Sequence, residues 1–87
     1  MSEAMIVAGM TLSEAALAVE AQLPAYYAEA RERRTMSEML LQHITELSQT
    51  NYLLDRKVRQ LSDTEATWLQ VAVERLAHDE PIQYLLG

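Results

Sequence analysis

One pattern constrains this chain more than any other: a hydroxyl residue followed three positions later by glutamate, repeated at Thr11-Leu12-Ser13-Glu14, Thr35-Met36-Ser37-Glu38 and Ser62-Asp63-Thr64-Glu65. Each copy fits a capping box, in which the hydroxyl accepts from an orphan helical N–H and the glutamate reaches back to the cap's own N–H. Each also stands ahead of apolar residues spaced for one helix face. After the first come Leu12, Ala15, Ala16, Val19 and Leu23; after the second, Met36, Met39, Leu40, His43, Ile44 and Leu47; after the third, Leu69, Ala72, Val73 and Leu76 beside Trp68. Steps of three and four residues are helical, no period of two is present, and only two glycines and two prolines interrupt 87 residues. The fold class that follows is all-α: a small bundle of four to five short helices in a single domain.

Between these stretches the connections are short. Pro24 either kinks the first helix or opens the next, and a break is the favoured reading, because proline lacks an N–H and clashes with the preceding turn. A short second helix is expected to carry Tyr26, Tyr27 and Ala30 before the charged Arg31-Glu32-Arg33-Arg34. Thr50 is read as the cap of another short helix over Asn51 to Asp55, and Arg56-Lys57-Val58-Arg59-Gln60 as a flexible loop. Residues 1–11 read as a loosely ordered start, 12–79 as the bundle, and 80–87 as a linker. Pro81 closes the last helix. The run Glu80, Pro81, Ile82, Gln83, Tyr84, Leu85, Leu86, Gly87 is too apolar for an idle tail and far short of the roughly 20 residues a membrane span requires, and a short terminal helix folding back onto the core is the alternative to a linker.

Composition excludes several classes. Seven basic against 13 acidic residues give a formal charge of −6, which disfavours sequence-independent binding to nucleic acid. The start, Met1-Ser2-Glu3-Ala4-Met5, carries an acid where a signal peptide has basic residues, so no membrane partner is expected. Without cysteine there is neither a disulfide framework nor a thiolate ligand, and cytoplasmic residence is the default expectation.

Chemistry-bearing residues fall into structural contexts. His43 and His78 are the two imidazoles and belong to no metal-ligand spacing. His43 reads as a core-edge side chain bonded to a carbonyl, and His78 as a last-turn residue favoured by the helix dipole. Glu14, Glu38 and Glu65 are each accounted for by capping, and Ser13, Ser37, Ser48 and Ser62 by helix starts and turns. No catalytic, cofactor or metal residue is therefore assigned. The clusters Arg31-Glu32-Arg33-Arg34 and Arg56-Lys57-Val58-Arg59 read as solvated helix or loop ends, with docking points for an acidic partner as the alternative. Tyr26, Tyr27, Tyr52, Trp68 and Tyr84 read as core and core-edge packing.

Several segments together carry a resemblance. Glu38-Met39-Leu40-Leu41-Gln42-His43-Ile44, Leu47-Ser48-Gln49-Thr50-Asn51-Tyr52-Leu53-Leu54, Leu61-Ser62-Asp63-Thr64-Glu65 and Arg75-Leu76-Ala77-His78-Asp79-Glu80-Pro81-Ile82-Gln83-Tyr84-Leu85-Leu86-Gly87 resemble, in order and spacing, the N-terminal helical domain of HemK/PrmC-type peptide chain release factor glutamine methyltransferases. The likeness runs from about residue 35 to the end; Leu12 to Arg34 is generic amphipathic helix with an unusual Ala25-Tyr26-Tyr27, and Asp79 stands where the family commonly has glycine.

The resemblance implies a module that recognises the release factor. A catalytic domain would follow Gly87, bind S-adenosylmethionine and methylate the glutamine of the Gly-Gly-Gln loop. Glu80 to Gly87 would then connect the two domains, and the chain would be a monomer. The rival expectation is a free-standing helical adaptor or oligomerisation module that dimerises through Ile82, Tyr84, Leu85 and Leu86.

Overall fold

The computed structural model describes residues 5–24, 29–78 and Leu85. Four helices make up the described fold: α1, Leu12–Gln22; α2, Ala30–Thr45; α3, Gln49–Asp55; and α4, Asp63–Ala77. Helix α1 packs against α2 and α4, and α2 packs against α4. The short α3 contributes the buried ring of Tyr52 to the common core. Fully buried Leu12, Val19, Leu40, Leu41, Leu69, Val73 and Leu76 are the centre of that core.

Two capping boxes form as their residue types dictate. Thr11 accepts from the Glu14 N–H at 3.1 Å while the Glu14 carboxylate accepts from the Thr11 N–H at 2.9 Å. Ser62 and Glu65 do the same at 3.2 and 3.0 Å. The third does not form. Thr35 lies inside α2, which begins five residues earlier behind Glu29 and has no side-chain cap. Arg31 to Arg34 are good helix formers, and a helix that starts early gives Arg33 a task. Its guanidinium donates to the carbonyls of Glu20 (2.7 Å), Leu23 (3.4 Å) and Pro24 (3.3 Å), at the end of α1. Helix α1 has no basic residue in its own last turn, so a cation from α2 meets its C-terminal dipole and orphan carbonyls. Ala30 thus opens the long α2 and belongs to no separate short helix; Tyr26 and Tyr27 lie outside the described residues. As expected, α1 stops before Pro24, with Leu23 extended at φ −70° and ψ 148°.

The buried face of α2 is displaced from the expected stripe. Met36, Ser37, Leu40 and Leu41 are buried, whereas Met39 is 41 % exposed. Because α2 touches both α1 and α4, two adjacent i, i+4 rows turn inward and Met39 and His43 fall on the edge. The cap of α3 is Ser48, which accepts from the Asn51 N–H at 3.2 Å, and Thr50 lies within the helix. A tight turn joins α2 to α3 through Glu46, in the left-handed region at φ 60°.

The segment 56–60, expected to be a flexible loop, is instead pinned to the start of α1. The Leu12 N–H donates to Arg59 O at 3.0 Å and the Ser13 N–H to Arg56 O at 2.8 Å, so the first orphan donors of α1 are satisfied by this connector. Arg59 adds a two-pronged ion pair to Glu65 at 2.9 and 3.1 Å. That bond, together with the Ser62 cap, holds the Glu65 carboxyl below its usual range.

Residues 1–4 of the expected loose start lie outside the described residues, and residues 5–11 are held against the bundle. Ile6 is buried and its N–H donates to Gln70 Oε1 at 3.1 Å. The Gly9 N–H donates to Leu61 O at 3.0 Å, and the Leu61 N–H returns a bond to Met10 O at 2.8 Å. Gly9 turns the chain at φ +92°, a conformation that glycine alone adopts without strain.

Candidate functional site

Two surfaces collect side chains that the fold leaves unused. The first is a cleft between α1, α2 and α3 with a volume of about 450 Å³. Helix α1 contributes Ser13, Ala16, Leu17 and Glu20; α2 contributes Arg34, Ser37 and Glu38; α3 and its end contribute Tyr52, Leu53 and Arg56. Leu17 is 67 % exposed and Leu53 48 % exposed, so both walls offer apolar surface to a partner. Ser37, fully buried, donates to the Arg34 carbonyl at 2.9 Å and to the Glu20 carboxylate at 3.4 Å, tying the base of α2 to α1.

Tyr52 marks the inner end of this cleft. Burial, followed by the nearby negative charge of Glu38, pushes its hydroxyl pKa up to about 12; Arg56 opposes the shift and Glu20 adds to it. The phenol therefore stays protonated and serves as a hydrogen-bond donor throughout the physiological range. Among the described residues its hydroxyl has no hydrogen-bond partner.

The second surface runs along the outside of α4, where Met5, Val7 and Val71 are 60, 50 and 46 % exposed beside Thr67 and Gln70. Trp68 lies at its margin with Asp63 and Thr64. It is half-buried and its ring meets that of His43, with centroids 5.2 Å apart and planes inclined at 33°. The expected carbonyl partner of His43 is thus replaced by an aromatic one, because the shifted face of α2 carries His43 to the margin of α4. His78 terminates α4, its backbone N–H donating to Glu74 O and Arg75 O.

Glu14 and Glu65 cap helices, whereas Glu38 is mid-helix and lines the first cleft. Ser48 and Ser62 are caps, Ser13 lies in the first turn of α1, and Ser37 is a buried tie between helices. The two basic clusters, separate in sequence, send Arg34 and Arg56 to the same cleft. Leu17 and Leu53 were missed as surface features; for Leu17 the signal was available, since it falls off the apolar stripe of α1, whereas the short α3 has no stripe from which to place Leu53. Of the proposed linker, Leu85 is half-buried and packs against the core; Glu80, Pro81, Ile82, Gln83, Tyr84, Leu86 and Gly87 lie outside the described residues. No described helix is long and apolar enough to cross a membrane.

Comparison with known proteins supplies the family. The family model of the PrmC N-terminal domain matches residues 12–87. The chain belongs to that family. Its four described helices and both capping boxes fall within the matched stretch except for Thr11, the cap just before it. No curated protein and no solved structure matches the chain.

The N-terminal donors of α1 are already taken by Arg56 O, Arg59 O and Thr11, and the first turn of α4 carries Asp63 and Glu65. No glycine-rich turn opens a described helix.

Proposed function

We propose that this domain recognises and orients the protein substrate of a glutamine methyltransferase that modifies the Gly-Gly-Gln glutamine of peptide chain release factors. The observation that carries this reading is the family match over residues 12–87. S-adenosylmethionine is held by a separate catalytic domain joined through Glu80 to Gly87, and the cytoplasm, where release factors work, is the compartment. The physical contribution of the domain is a second contact patch remote from the reacting amide. Such a patch fixes the orientation of a large substrate, so that binding energy gained away from the chemistry favours a near-attack geometry.

Deleting the domain from its methyltransferase tests this directly. The KM for whole release factor is expected to rise by about tenfold or more, the loss of roughly 1.4 kcal/mol of contact energy, while a short Gly-Gly-Gln peptide is methylated as before. Equal effects on both substrates would reduce the domain to a stabiliser of its neighbour.

The rival reading, a dimerising adaptor, finds support in the exposed Met5, Val7 and Val71. It is weakened at the terminus on which it was built, because Leu85 is spent on the core. Light scattering separates the two: a mass of about 9.9 kDa for this chain supports the monomer, and twice that the adaptor.

A further inference from the structure

We propose that the outer face of α4 is where the protein partner docks, and that it receives a basic segment carrying an apolar side chain between two cations. This rests on the partner-orienting role proposed above, with release factor as the partner. The face is built on one row of α4. Asp63, Thr67, Val71 and Glu74 succeed one another at helical steps, so they stand in line along the axis, and all four are exposed. Apolar surface borders the row on both sides. On one, Ile6 is buried and bonded to Gln70 at 3.1 Å while its neighbours Met5 and Val7 are left 60 and 50 % exposed. On the other lies the half-buried Trp68. Methionine, valine and an indole edge gathered in one exposed patch suit a protein partner.

Charge decides which partner. The charged side chains that line this face are Asp63 and Glu74, both carboxylates, and neither has a salt bridge among the described residues. Arg75 and His78 stand toward the C-terminal end of α4 and line neither part of the face. The local charge thus has the sign of the chain's net −6. At a rise of about 1.5 Å per residue the two carboxylates lie roughly 16 Å apart, one at each end of the row. A second copy is excluded on charge: whether two α4 helices paired parallel or antiparallel along this row, an acid would fall opposite an acid. A phosphate backbone or an anionic lipid surface would meet the same two carboxylates and the same overall field. A basic polypeptide segment uses every group. Its apolar side chain lies on Val71 between Met5, Val7 and Trp68, and its cations pair with Asp63 and Glu74 at the rim.

The test is titration of purified release factor into this protein, followed by residue-resolved NMR and by binding calorimetry. Perturbations are expected at Met5, Val7, Thr67 and Val71 and at the Trp68 indole. Val71→Ser, a change on an exposed position, is expected to weaken binding by about fivefold. The double substitution Asp63→Asn and Glu74→Gln removes both charges while keeping an acceptor for the Gln70 amide, which donates to Glu74 at 3.1 Å. It is expected to weaken binding by about tenfold with an unchanged circular dichroism spectrum. Raising NaCl from about 50 to about 300 mM is expected to weaken wild-type binding and to change that of the double variant much less, since the screened charges are gone. Leu17→Ser, in the cleft between α1, α2 and α3, is expected to leave affinity unchanged. Wild-type affinity in either α4 variant, an equal salt dependence in the wild type and the double variant, or perturbations confined to the α1–α2–α3 cleft would overturn the assignment and leave the proposed function standing. A release factor that does not bind the unmodified protein would overturn both.

Discussion

Tyr52 combines a ring the core requires with a hydroxyl the core does not use. The residue is 1 % exposed, and its hydroxyl pKa is pushed up to about 12, first by burial and then by Glu38. Two substitutions separate the two parts. Tyr52→Ala removes the ring from a packed site and is expected to cost about 3–5 kcal/mol, whereas Tyr52→Phe keeps it and is expected to change stability by less than about 1 kcal/mol. The pKa adds a pH dependence whose sign is fixed by linkage. The unfolded phenol loses its proton near pH 10 and the folded one near 12, so the stabilisation is complete below about pH 10 and is lost as pH rises toward 12. Urea unfolding at pH 9 and pH 11.5 is expected to show a larger loss for the wild type than for Tyr52→Phe, and parallel losses would assign the alkaline transition to other groups. Residue types alone placed Tyr52 in the core, because an aromatic between two apolar helices is most often packing. They were silent on its hydroxyl, whose neighbours Glu20 and Glu38 come from two other helices.

At the scale of elements, the same local pattern occurs three times and is realised twice, which makes the helix ends a test of what local sequence decides. Thr11→Ala and Ser62→Ala each remove a formed capping box and are expected to cost about 1 kcal/mol apiece. Thr35→Ala, on an exposed turn inside α2, is expected to be neutral or to stabilise by a few tenths of a kcal/mol, since alanine is the better helix former. Thermal unfolding of the three variants decides the matter: a Thr35→Ala loss as large as the others would move the start of α2 back to Thr35. Glu46 supplies a converse case. It ends α2 in the left-handed region, where a side chain costs roughly 1 kcal/mol, so Glu46→Gly is expected to raise stability by up to about that amount. Periodicity sufficed for the stripes of α1 and α4, which bury Leu12, Ala15 and Val19 and Leu69, Ala72, Val73 and Leu76 as expected. It did not suffice for α2, whose start serves the far end of α1 through Arg33 and whose buried face is widened by contact with two helices. It also could not bring Arg34 and Arg56 together, because that meeting depends on how α1, α2 and α3 are packed and on no spacing within any one of them.

Across the whole molecule, the segment 5–11 and the connector 56–61 hold each other in place, and the ends of the bundle depend on both. Ile6 fills a buried site, Gly9 and Met10 exchange backbone bonds with Leu61, and the connector's carbonyls in turn receive the first N–H groups of α1. The family match begins at Leu12, so this anchoring comes from residues outside the matched stretch. Removing residues 1–10 is expected to cost about 3–5 kcal/mol: roughly 1.5–3 for the burial of Ile6, with the remainder from bonds lost by Gln70 and Leu61. That is a large share of the roughly 5–15 kcal/mol that stabilises a domain, so the truncated chain is expected to unfold at distinctly lower urea. Trp68, the single tryptophan, reports the transition because its ring lies half-buried against His43 near the same face of α4. An unchanged midpoint would mean that α4 closes the core without this segment. Ile6→Ala alone then separates packing from backbone bonding: a loss of about 2–4 kcal/mol assigns most of the anchoring to one side chain, and a much smaller one assigns it to the paired bonds between residues 9–10 and Leu61.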